Sequence, residues 1–95
     1  MIYTREQIRS KLAPIFSRHN VRKAVLFGSY AKGTAGEQSD IDILVDSGLR
    51  GLAFWGLLED VAEQLDKSVD LFDTTQIAPN SEIENEIARS GLTIY

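Results

Sequence analysis

Ninety-five residues, 43% apolar and 25% charged, suit one small folded domain spanning residues 1–95 and leave no length for a second. The absence of cysteine excludes disulfides and thiolate metal sites and fits a reducing cytoplasm, while no stretch is long and apolar enough to cross a membrane or serve as a secretion signal. The net charge of −4 hides an asymmetry, since residues 1–34 carry Arg5, Arg9, Lys11, Arg18, Arg22, Lys23 and Lys32 against Glu6 alone, and the acidic residues crowd the rest. Such a basic front half is either a surface for phosphates or an acidic partner, or simply a solvated helix face.

Thr4 and Gln7 have the spacing of a capping box, and Ile8, Leu12, Ile15 and Phe16 then share one helical face. Pro14 falls inside that run, where its missing N–H predicts a kink or an early end. Residues 24–27 form a short apolar run closed by Gly28, which reads as a buried strand. Residues 29–38 are small and polar and form a loop or a short helical turn. From Asp40 to Asp46 the pattern alternates, with Ile41, Ile43 and Val45 on one side and Asp40, Asp42 and Leu44 on the other, as a strand requires.

Leu52 to Asp66 reads as an amphipathic helix with Trp55, Leu58, Val61, Ala62 and Leu65 inward. Val69 to Phe72 is a third strand. Ser81 to Glu84 is a second capping-box pattern, opening a helix through Ile83 and Ile87 that stops at Gly91; Leu92 to Tyr95 is a last short strand. The connection between the first two strands is too short for a parallel crossover, so that pair is expected to be antiparallel. The fold class is therefore α/β (α+β): a mixed sheet of three to four strands with helices mainly on one face.

The chemistry concentrates in Gly28-Ser29-Tyr30-Ala31-Lys32-Gly33 and in Ser39-Asp40-Ile41-Asp42. Carboxylates two apart on a strand project from the same face, where they repel each other and are costly to bury unpaired. A divalent cation removes both problems, and hard oxygen ligands suit Mg²⁺. A strand-ending glycine lets backbone approach a ligand closely, and a following serine adds a hydroxyl beside the free amides of a helical turn. Gly28 and Gly33 have the glycine spacing of a P-loop, but Thr34 stands where that motif needs lysine, so this is not one. Asp70, flanked by apolar Val69 and Leu71, would complete a three-carboxylate, two-metal centre if placed beside the pair. Asp73 is its rival, but alternation points it to the other side of its strand.

In order and spacing, Gly28-Ser29, Asp40-Ile41-Asp42 and the later Val69-Asp70-Leu71 resemble the polymerase-beta-type nucleotidyltransferase superfamily, and GSYAKGTAGEQSDIDILV is similar to its minimal nucleotidyltransferase (MNT) group. The resemblance implies that Gly28 and Ser29 hold the β- and γ-phosphates of ATP. It also implies that Asp40 and Asp42 bind two Mg²⁺ ions, and that Asp70 binds one of them and orients the acceptor hydroxyl. Lys32, where an arginine is frequent in the family, would neutralise triphosphate charge without bidentate contact. It further implies transfer of AMP to a protein hydroxyl, in particular a tyrosine of a cognate HEPN-domain ribonuclease toxin, so that the chain acts as a cytoplasmic antitoxin. An antitoxin working by binding alone, or a transferase acting on a small molecule or RNA end with an accessory subunit, are the competing readings.

The larger members of that superfamily add acceptor-binding domains, so acceptor recognition is expected from a partner or a second copy. Exposed strand edges favour association with a second copy. Direct nucleic-acid binding is not expected, nor is a membrane. Tyr30 and Lys32 border the loop and are candidates for nucleotide contact. His19, the only histidine, reads as a helix end, and Trp55 as core.

Overall fold

The computed structural model describes residues 2–95. Helix α1, Arg5–Arg18, starts on the expected box: the Thr4 hydroxyl accepts from the Gln7 amide and the Gln7 side chain accepts from the Thr4 amide. It does not end at Pro14 but runs on to a cap at His19. Proline costs the helix one hydrogen bond to the Ser10 carbonyl, and burial of Ile15 and Phe16 in the next turn outweighs that loss.

Strand β1, Lys23–Phe27, leads through Gly28 into a single helical turn, α2, Ser29–Lys32, and then to β2, Ile41–Asp46. Helix α3, Leu52–Leu65, carries the chain to β3, Val69–Asp73; a 3-10 turn, Thr74–Gln76, precedes helix α4, Glu82–Ser90, and the two-residue strand β4, Leu92–Thr93. The sheet order is β3-β2-β1-β4. Strands β1 and β2 are antiparallel, as their short connection demands, with Phe27 opposite Asp42. Strands β2 and β3 are parallel through α3, placing Asp42 beside Asp70, and β4 pairs antiparallel with β1.

The sheet has two unlike faces. Ala24, Leu26, Ile41, Ile43, Val45 and Leu71 point into a core closed by α1 and α3. Val25, Asp42, Leu44, Asp70 and Phe72 point the other way, where α4 covers only part of the surface and Ile87 lines a cleft with Val25 and Leu44. Helix α4 ends at Gly91 for want of space rather than for a left-handed turn: its φ is −65°, and a Cβ there would press on the Ile87 carbonyl and Val25. Its N-terminus realises half of the expected box. Ser81 accepts from the Glu84 amide, but the Glu84 side chain accepts from the Asn80 amide instead.

Trp55 departs from expectation. The side chains of α3 that reach the core are Leu57, Val61 and Leu65, while Trp55 is 57% exposed. Six residues before Val61, it stands about a third of a turn off that stripe. The basic front half meets the acidic rear: Arg18 pairs with Asp60, Arg22 with Asp46 and Lys32 with Glu86. No described helix is long and apolar enough to cross a membrane.

Candidate functional site

The site is built where β1 ends. Gly28 has φ +72° and ψ −151°, a conformation other residues avoid. A Cβ at Gly28 would also overlap Asp42 Oδ2. The turn is thus packed directly on the carboxylate of the neighbouring strand, and glycine is required twice over. The Gly28 carbonyl accepts the amides of Ala31 and Lys32, both at 3.1 Å, which fixes α2 as a turn. The amides of Ser29 and Tyr30, at the start of that turn, have no intrahelical acceptor. Gly33, at φ +76°, then releases the chain in a left-handed step.

Asp42 lies on the face away from the core because Ile41 and Ile43, on either side, are fully buried. It is half-buried, with Phe27 and Gly28 on one flank and Asp70 in register on the other. Burial, then the charge of Asp70 and a hydrogen bond shared with it, then Asp40 and Glu86, push the Asp42 carboxyl up to about 6. Asp40 is exposed just ahead of the strand, and Asp70 is exposed on β3. Among the described residues no three acidic or histidine side chains already converge as a metal cage. The structure therefore brings Asp42 and Asp70 together and leaves Asp40 beside them; mutual repulsion opposes tighter convergence of three anions. The donor set fits a divalent cation: hard carboxylate oxygens from two adjacent strands, next to a turn with free amides, match the way Mg²⁺ shares carboxylates and phosphates.

The remaining candidates separate cleanly. Asp73 is on the opposite face from Asp70, as alternation requires, and is 2% exposed. Burial would raise its carboxyl, but donation from the Ser47 hydroxyl at 2.6 Å, the Thr75 hydroxyl at 2.7 Å and both of those residues' amides holds it down at about 2. The Tyr30 side chain is turned away from the nucleotide: its ring is part of the core, and its hydroxyl is buried without a hydrogen-bond partner among the described residues. The turn that leaves Ser29 half-buried directs the next side chain inward. Lys32 is at the rim, with its Nζ 3.1 Å from Glu86 of α4. His19 caps α1, and its Nε2 lies 2.7 Å from Asp60 of α3, so it joins two helices far from the aspartates in sequence. Trp55 belongs to neither core nor site. Glu86 escaped the sequence reading because nothing local marks one glutamate among the three acidic residues of α4.

A family model described as polymerase beta, nucleotidyltransferase, matches residues 10–95. A candidate protein adenylyltransferase of Methanocaldococcus jannaschii, MJ0435, is 40% identical over 76 residues, covering 77% of this chain and 81% of that protein. The protein adenylyltransferase MntA of Shewanella oneidensis is 48% identical over 50 residues, which cover 50% of this chain but 36% of MntA. Among solved structures, a toxin–antitoxin complex with AMP-PNP superposes with a TM-score of 0.78 at 28% identity, over 92% of this chain and 72% of that one. With its Gly28 turn, its Asp42–Asp70 pairing and the family match across nearly all its length, the chain belongs to the polymerase-beta nucleotidyltransferase family.

Proposed function

We propose that this chain is a metal-dependent protein adenylyltransferase that transfers AMP from Mg-ATP to a protein hydroxyl, a tyrosine of a cognate HEPN ribonuclease toxin, and so acts as that toxin's antitoxin. The observation that carries the reading is the contact of Gly28 with Asp42, which brings the Gly28-Ser29 turn against the acidic pair. Relatives named as adenylyltransferases, and a structural neighbour that is a toxin–antitoxin complex with AMP-PNP, support the choice of reaction and partner.

In this reading the turn at Gly28-Ser29 holds the β- and γ-phosphates through backbone amides and the Ser29 hydroxyl. Asp40, Asp42 and Asp70 hold two Mg²⁺ ions, which when bound neutralise the triphosphate and stabilise the attacking and leaving oxygens. Asp70, exposed on β3, orients the acceptor hydroxyl toward the α-phosphorus. The acceptor oxygen forms a bond to that phosphorus, the bond to the β-phosphate bridge breaks, pyrophosphate leaves and the hydroxyl proton is lost to the medium. Catalysis of this kind is mainly positioning and charge neutralisation. ATP dependence suits the cytoplasm.

Incubating the chain with α-labelled ATP, Mg²⁺ and its toxin tests the proposal. Label on the toxin, lost in Asp40→Ala/Asp42→Ala, is expected. No label, with toxin inhibition intact in the double variant, would leave an antitoxin acting by binding alone and overturn the enzymatic reading.

A further inference from the structure

Helix α4 reaches the site face of the sheet from a distant part of the chain. Ile83 and Ile87 are half-buried, Ile87 lies over Val25 and Leu44, and Gly91 brings the helix end down onto β1. One position before Ile87, Glu86 places its Oε1 3.1 Å from Lys32 Nζ of α2. The Glu86 charge is also felt at Asp42, so this end of the ion pair borders the acidic pair.

We propose that Glu86 is a positioning residue of the triphosphate site, holding the Lys32 ammonium at the rim of the Gly28-Ser29 turn through their ion pair. The inference rests on the reading of that turn as the phosphate site. A lysine ammonium has three donors, and Glu86 occupies one, which leaves two for phosphate oxygens. A free lysine stem surrenders rotamer freedom when it engages a ligand, whereas one already tethered surrenders less. The pair is partly exposed, so it adds little to folding stability and its effect belongs in nucleotide affinity.

The test is calorimetric titration of Mg²⁺ with AMP-PNP into the full chain, for wild type, Glu86→Gln, Lys32→Met and the double variant, with melting temperatures measured alongside. Glu86→Gln is expected to weaken binding roughly fivefold and Lys32→Met roughly tenfold, with the double variant no weaker than Lys32→Met and all four melting alike. That non-additivity is the signature of one residue acting through another; a glutamate that merely supported α4 would cost as much with Lys32 removed as with it present. Equal or tighter binding by Glu86→Gln, or fully additive losses, overturns the inference while wild-type binding preserves the phosphate site. Absence of binding by the wild type overturns the phosphate reading itself, and the inference with it.

Discussion

Asp42 and Asp73 are both withdrawn from solvent, on neighbouring strands of one sheet, yet their acidities move in opposite directions. Asp42 is pushed up to about 6 and Asp73 is held at about 2. Burial raises both. The difference lies in what faces each carboxylate: Asp73 meets two hydroxyls and two amides from Ser47 and Thr75, whereas Asp42 meets Asp70, Asp40 and Glu86. A carboxylate whose donors come from the protein is structural, here tying the loop after β2 to the turn after β3. One whose neighbours are other carboxylates carries a repulsion that positive charge from outside the chain would relieve. The contrast distinguishes a site from a brace more surely than burial does.

The comparison can be broken most decisively at Asp42. Asp42→Ala is expected to lower AMP transfer at least about a thousandfold, roughly 4 kcal/mol of transition-state stabilisation, in the labelled-ATP assay. The same variant should unfold in urea, without metal, no more easily than wild type, because it relieves repulsion rather than removing a support. Asp73→Ala should do the reverse. It leaves buried donors unpaired and is expected to cost about 2–4 kcal/mol in urea unfolding, while the fraction still folded binds nucleotide.

The acid limb of stability should report Asp73 as well. Its folded value lies below its ordinary 3.8, so its contribution is complete above that pH and is lost as pH falls toward about 2. Roughly 2 kcal/mol should disappear across that window, and urea midpoints measured from pH 5 to 2 should show the loss in wild type but not in Asp73→Asn. The smallest effect is expected from Ser47→Ala, which removes one of the donors. About 1 kcal/mol of stability should go, with AMP transfer unchanged. A Ser47→Ala variant that lost activity in proportion would erase the distinction between brace and site.

Much of this molecule is written locally. The alternation of Ile41, Ile43 and Val45 with Asp42 and Leu44 is the observed burial pattern of β2, and Ile8, Leu12, Ile15 and Phe16 are the buried stripe of α1. The antiparallel β1–β2 pair follows from the length of their connection. Gly28 could be singled out as a close-approach glycine from its place after a strand, and Asp73 could be set apart from Asp70 by alternation alone. These succeed because strand and helix periods depend on immediate neighbours.

Other features were settled only by packing across the chain. Pro14 sits in mid-helix because α1 is pressed against the sheet, and Trp55 faces outward because Leu57 sets the rotation of α3. Tyr30, next to Gly28-Ser29 in sequence, is a core residue in space. Glu86, far from that turn in sequence, borders it in space. Sequence by itself determined the elements, the acidic pair and the glycine turn, since each is a short-range pattern of residue types. Which aspartate is braced by donors and which faces other carboxylates, and which residue pairs with Lys32, was decided by tertiary structure, because a charge takes its character from neighbours that only folding brings near.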